Sequence, residues 1–307
     1  MAGLGVFLFI VTICLLAPVY AHDVAHTNPF ASNIAGTFRL NGRTIHVLQS
    51  NPNAYGVTPI GPTWNFSHYF LGADNQGRDV FARLLYGGRN SLLIGITSAL
   101  ICCGVAAVLG ITAGYFGGPI DWSISRVLDI VWAFPVYLLA ISLSVILLTT
   151  GLNFGFIHIG PGSLMLPILI IAAVFVPYVA RPLRGIVLSL REREFIQAAI
   201  GSGASDLRIL WKEILPNAAP SIIVFLPLMV AFNMLTESAL SFLGIGVQPP
   251  NASWGTIIND GQGLLYSRPW VGLAPGIMLV ITATALNILG DGARDAFDPK
   301  AKLRGSI

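Results

Sequence analysis

The sequence predicts an all-α integral membrane protein with six transmembrane helices. Of its 307 residues, 54% are hydrophobic and only 10% charged, with a mean hydropathy of +0.74. Soluble domains average about 25% charged residues, so too few charges exist here to coat a soluble globule. The same composition excludes intrinsic disorder. The arrangement is the further observation: six runs approach the roughly 20 apolar residues that cross a bilayer. Cys14, Cys102 and Cys103 all lie inside such runs, which argues against a disulfide framework and a zinc site.

The runs are 3–20, 91–114, 129–150, 164–180, 218–240 and 271–290. They show weak periodicity because a membrane helix is apolar all round. In the first, Val19-Tyr20-Ala21 has the small-residue character of a cleavage site. Residues 1–13 hold no Lys or Arg, however, and a signal peptide usually has a basic start, so a retained helix is expected. The fourth run is short and carries Pro167 and Pro177, which a membrane helix tolerates when neighbours satisfy the freed carbonyls.

Orientation follows from the basic residues. With a cytoplasmic N-terminus, Arg126, Arg181, Arg184, Arg191, Arg193, Arg208, Lys212, Arg294, Lys300, Lys302 and Arg304 fall inside. Arg39, Arg43, Arg78, Arg83, Arg89 and Arg268 fall outside. Eleven of the 17 basic residues are then cytoplasmic, which predicts both termini inside. The net charge of +3 is small, and no nucleic-acid partner is expected. The chain divides into a first helix (1–20), an extracytoplasmic segment (21–90), a five-helix core (91–290) and a cytoplasmic tail (291–307). The extracytoplasmic segment is expected to lack a core of its own. It ends in an interfacial helix whose apolar face is Val80, Phe81, Leu84 and Leu85. The core contains an inner loop (181–217) and an outer loop (241–270) rich in Gly, Pro, Asn and Trp.

The inner loop reads as two short helices broken at Gly201–Gly203, since glycine permits a reversed backbone. Ser205 has the chemistry of an N-cap, and Asp206 complements the helix dipole. Leu207, Leu210, Trp211 and Ile214 recur at helical spacing and predict one apolar stripe opposite a charged face. Pro216 is expected to stop this helix and start the fifth membrane helix. Such a loop suits either an amphipathic helix on the inner leaflet or a docking element for a cytosolic partner.

Gln197-Ala198-Ala199, then Gly203, then Leu215-Pro216 resemble the EAA loop of importer-type ABC permeases, with Gln197 where that family usually has Glu. Leu71-Gly72-Ala73-Asp74-Asn75-Gln76-Gly77-Arg78-Asp79-Val80 is similar to a signature of the dipeptide, oligopeptide and nickel permeases, in their second permease subunit. Ala239 to Pro250 with Ser253-Trp254-Gly255, and Asn287 to Pro299, resemble two further signatures of that branch. The likeness spans roughly 70–307 and implies an ABC type I importer permease fold. It implies peptide cargo, with nickel or another small solute as the alternative, and a bacterial inner-membrane location. It also implies partners: a second homologous permease, two ATPase subunits and an extracytoplasmic substrate-binding protein. The coupling turn would comprise Gln197, Ala198, Ala199, Gly203, Ser205, Asp206, Leu207, Leu215 and Pro216. The chain lacks a Gly-x-x-x-x-Gly-Lys-Ser/Thr phosphate loop, so it is not expected to be an enzyme. No cofactor is expected on this chain, and ATP and Mg would be used by the partner ATPases.

Other residues carry open alternatives. Asp74, Gly77, Arg78 and Asp79 suit an outer elbow touching a partner, or a helix start with a local Asp–Arg pair. Glu237, an ionisable residue near the outer end of the fifth run, suits a path or gate, or an interfacial carboxylate. Asn287 and Asp291 pose the same question at the inner end of the last run. Gly110-x-x-x-Gly114 and Gly151-x-x-x-Gly155 suit close helix approach or turns. His22, Asp23 and His26 have metal-like spacing, but two histidines alone are a weak signal and no metal is expected.

Overall fold

The computed structural model describes residues 2–40, 42–50, 56–155 and 157–297. Its helices are α1 (Ala2–Leu15), α2 (Ala17–Val19), α3 (Val80–Phe116), α4 (Gly118–Trp132), α5 (Val136–Thr150) and α6 (Met165–Arg191). The remainder are α7 (Glu194–Gly201), α8 (Asp206–Ile209), α9 (Leu215–Phe242), α10 (Trp254–Gln262) and α11 (Trp270–Phe297). Four helices are long and apolar enough to cross a membrane: α3, α6, the continuous rod Asp206–Phe242, and α11. Two bent pairs raise the number to six, α1 with the segment to Val24, at 42°, and α4 with α5, at 85°.

The third expected span therefore is not straight. Its run crosses Ala133–Pro135, and proline both lacks a donor and disfavours helix in the residue before it. The chain turns there, leaving α4 with Asp121, Arg126 and Asp129 on its polar side. Asp121 accepts from Arg184 Nε at 2.5 Å, and Asp129 pairs with Arg181. Both ion pairs tie α4 to α6.

At the centre, α3 packs against α6 and α9, while α1 lies on α11 and α3. The α3–α6 contact depends on absent side chains. A Cβ at Gly110 would stand 2.7 Å from the Ala180 carbonyl, and one at Gly114 would stand 2.8 Å from Val187 Cβ. These two glycines therefore serve helix approach. Gly151 (φ 65°) and Gly155 (φ 58°) instead serve turns, the first leading into a hairpin of β5 (Leu152–Phe154) and β6 (Ile157–Ile159) and the second lying between its strands.

The outer segment holds more structure than its composition suggests. The strands β1 (Thr37–Leu40) and β2 (Arg43–His46) form one antiparallel ribbon, and β3 (Leu48–Ser50) with β4 (Val57–Pro59) form another. They enclose a small core of Val47, Ile60, Tyr69 and Ala73. Strands of three or four residues give too short an alternation to detect by period. The expected interfacial helix is not separate either. Val80, Leu84 and Leu85 are buried in the first turns of α3, which runs unbroken to Phe116. The end of the molecule bearing these ribbons is termed outer. At the other end α11 continues to Phe297, so the start of the expected tail is helical, while Lys300, Lys302 and Arg304 lie outside the described residues.

Candidate functional site: an inner turn and an outer latch

The inner loop begins at Arg191, where α6 ends. The eight residues of α7 close on a reversed backbone at Gly203, φ 76°. Gly203 N donates to the Ile200 carbonyl at 2.9 Å, and Ala204 N donates to the Ala199 carbonyl at 3.1 Å. This pair of bonds is the Schellman closure, which calls for glycine at its left-handed position. Nothing lies within 4 Å of where a Gly203 Cβ would be, so its need for glycine is conformational. Gln197 uses its amide: Nε2 donates to the Arg191 carbonyl at 3.0 Å, satisfying an orphan acceptor at the end of α6.

Ser205 takes the extended N-cap backbone, but its side chain makes no cap hydrogen bond. Asp206 is held from elsewhere, by the Tyr115 hydroxyl, which donates to its Oδ1 at 2.7 Å from the end of α3. Pro216 does not stop the helix. The backbone passes from α8 through a π-helical turn at Leu210–Ile214 directly into α9, where Pro216 sits in the first turn. Proline is tolerated in a first turn, and the widened turn ahead of it absorbs the change in hydrogen bonding.

The expected apolar stripe divides. Ile196, Ile209 and Ile214 are buried with Ile111, Tyr115 and Val187. Leu207 (67% exposed) and Trp211 (65% exposed) point away, alongside exposed Phe195 and Ile200. The widened turn shifts the angular phase, so Trp211 leaves the face that Ile214 occupies. The loop is thus pinned from behind by isoleucines and presents large apolar side chains in front. Ala199, Ser202, Gly203, Arg208 and Glu213 line a cleft of about 240 Å³ between them.

The outer elbow is an ion cluster internal to the chain. Arg78 Nε donates to Asp74 Oδ2 at 2.7 Å, and Arg83 Nε lies 3.4 Å from the same oxygen. Arg78 Nη2 and Arg83 Nη2 both reach Asp260 Oδ2 in α10, at 3.0 and 2.8 Å. Gly77, φ 72°, closes the turn that places them. Asp79 caps α3: its Oδ1 accepts from Phe81 N at 2.9 Å and Ala82 N at 3.0 Å. Burial pushes the Asp79 carboxyl up to about 6, although those two amide bonds pull it down. Arg83 and Asp260 are the partners that sequence reasoning missed. They lie 177 residues apart, and no local spacing links them.

Glu237 is fully buried and so does not reach the interface. Ser91 Oγ donates to its Oε2 at 2.9 Å and Ser241 Oγ to its Oε1 at 2.7 Å, with Ser238 Oγ at 3.3 Å. Ser91 also accepts from Trp254 N at 3.1 Å, so this one carboxylate links α3, α9 and α10. Asn287 and Asp291 are exposed on α11, turned away from the chain's own core. His22 Nδ1 pairs with Asp23 at 2.5 Å. Among the described residues no group of three His, Cys, Asp or Glu is placed to hold a metal.

The chain is thus a helical bundle with up to six membrane spans, an apolar exposed turn at one end and an ion-pinned latch at the other. Residues 106–303 match the family described as binding-protein-dependent transport system inner membrane component, and the chain belongs to that family. A putative peptide transport system permease protein of Brucella abortus is 39% identical over 84% of this chain and 82% of its own length. A dipeptide transport system permease protein of Alkalihalophilus pseudofirmus is 43% identical over 77% of this chain and 73% of its own. A glutathione transport system permease protein of Pectobacterium atrosepticum is 39% identical over 77% and 74%. Among solved structures, the inward-facing methionine ABC transporter superposes with TM-score 0.56 over 70% of this chain and 96% of that one, at 18% identity. An amino acid ABC transporter gives TM-score 0.54 over 71% and 95%, at 14% identity. The fold is that of ABC importer permeases.

Proposed function

We propose that this chain is one of two homologous permease subunits of an ATP-driven importer for di- and oligopeptides, working by alternating access. The cargo arrives on an extracytoplasmic binding protein at the outer end. Two ATPase subunits, which use ATP and Mg, engage the inner turn. Both termini are cytoplasmic, as the distribution of basic residues favours. The observation that carries the reading is the inner turn: an element anchored by Ile196, Ile209 and Ile214 that, among the described residues, leaves Phe195, Ile200, Leu207 and Trp211 exposed. The peptide, dipeptide and glutathione systems named for the relatives support the cargo class.

In this reading the Gln197-Ala198-Ala199 segment with Gly203, Ser205, Asp206 and Leu207 forms the ATPase contact, and Leu215-Pro216 passes the motion into α9. ATP-driven closure would bias a two-state rod; moving such an equilibrium from 1:99 to 99:1 takes about 5.5 kcal/mol of differential binding. Glu237 acts on the outer gate by holding three helices, and Asn287 faces the path or the sister permease. The elbow of Asp74, Gly77, Arg78 and Asp79 keeps the outer mouth in shape.

Gly203→Asp tests the turn. It should leave membrane insertion intact while weakening ATPase co-purification and transport; unchanged binding and transport would refute the assignment. Reconstitution with the binding protein tests the cargo, since peptides should stimulate ATP turnover. Uptake that ignored ATP and followed an ion gradient would point to a self-sufficient secondary transporter instead.

A further inference from the structure

A cleft of about 480 Å³ opens between α1 and the outer third of α3. Its wall changes character along the helix axis. Arg89, Tyr86 and Asn251 stand at the outer rim, and Leu92, Leu93 and Ile96 of α3 follow below them. Leu15 and Val11 of α1 complete the apolar wall. The order from cation to hydrocarbon coincides with the boundary at which the apolar run of α3 begins.

Arg89 is exposed, and among the described residues no carboxylate lies within ion-pair distance of it. Its guanidinium rests over the Tyr86 ring, 5.5 Å from the centroid. The neighbouring outer arginines are committed. Arg78 and Arg83 serve Asp74 and Asp260, and Arg268 donates to the Pro59 carbonyl at 2.6 Å. Asn90 donates to the Ala252 carbonyl at 2.7 Å, which fixes the backbone carrying Asn251 beside the rim. A guanidinium at the edge of a hydrocarbon layer calls for an anion, and its planar fork matches phosphate oxygens.

We propose that this cleft binds an anionic phospholipid of the outer leaflet, its phosphate on Arg89 and an acyl chain along Leu92, Leu93, Ile96 and Leu15. The charge selects the headgroup class, and the apolar slot distinguishes a lipid from a free anion. The lipid fills the gap between α1 and the bundle and holds the first helix against α3 from the membrane side.

The full chain, purified from membranes into bilayer discs of mixed phosphatidylglycerol and phosphatidylcholine, provides the test. Native mass spectrometry should find phosphatidylglycerol retained on the wild type. Arg89→Gln should lower that retention about fivefold, the scale of one basic residue at an anionic surface. Arg126→Gln, at an exposed arginine on α4, should leave it unchanged. Leu93→Trp, which fills the slot without touching the charge, should lower retention of both lipids. A photoreactive side chain at Leu93 should label lipid. Equal retention in Arg89→Gln, displacement by millimolar inorganic phosphate, or labelling of a polypeptide at Leu93 would each overturn the proposal.

Discussion

Asp79 uses its two oxygens differently. Oδ1 caps α3, while Oδ2 is buried without a hydrogen-bond partner. Burial raises the carboxyl from 3.8 to about 6, so between those values the folded chain holds a proton that the unfolded chain has released. Stability should therefore fall as pH rises from about 4 to 6 and level off above. Asp79→Asn keeps an acceptor for the cap and should flatten that slope in thermal melts. Asp79→Ala loses the cap and the titrating carboxyl together, so it should cost about 1 kcal/mol or more near pH 4 and progressively less as pH rises to 6. Gln197 shows the reach of a single amide. Gln197→Glu cannot donate to the Arg191 carbonyl, so amide exchange at residues 191–194 should quicken while overall stability changes by less than about 1 kcal/mol. A helix start with a local Asp–Arg pair was legible in the sequence; that Asp79 supplies the cap was not. The partners of Glu237 were not, because Ser91 lies 146 residues away and a serine in an apolar run carries no directional signal.

At the scale of elements, glycines decide where helices meet and where they end. Gly110→Val places a branched side chain against the Ala180 carbonyl and should cost about 1–3 kcal/mol through overpacking, read as a lower melting temperature and poorer yield. Gly203→Ala meets no obstacle but must hold a left-handed backbone, so it should cost about 1 kcal/mol, confined to the α7–α8 turn. Hydrogen exchange that loosened residues 198–206 alone would separate the two mechanisms. Apolar run length located each membrane helix but not its shape. The 85° bend near Pro135 and the π-helical turn before Pro216 arise from how prolines redistribute backbone hydrogen bonds, which run length cannot register. The outer ribbons stayed hidden for the opposite reason: their strands are too short to show a period.

Across the whole molecule, the ion cluster joins the ribbon segment to α10. Asp260→Asn would leave Arg78 and Arg83 sharing Asp74 alone. Fully buried pairs lose about 3–5 kcal/mol on removal of one partner, and the 36% exposure of Asp260 reduces that figure here. Proteolysis between residues 25 and 79 should accelerate while the membrane helices stay protected. The topology of six runs and the clustering of basic residues were legible because bilayer length and charge distribution are properties of the whole chain. The cluster was not, since it forms only after α10 folds back onto α3.

On the proposed function, the rod from Asp206 to Phe242 would also serve as a lever. At about 1.5 Å per residue it is roughly 55 Å long, and Glu237 fastens it far from its middle. The arm on the inner side is about 46 Å and the arm beyond Glu237 about 8 Å. A 5° swing about that fulcrum carries the Asp206 end about 4 Å and the Phe242 end less than about 1 Å. In the proposed cycle a swing about Glu237 would trade stroke for force roughly sixfold, so that a broad push on the inner turn would reach the outer mouth as a small, strong displacement.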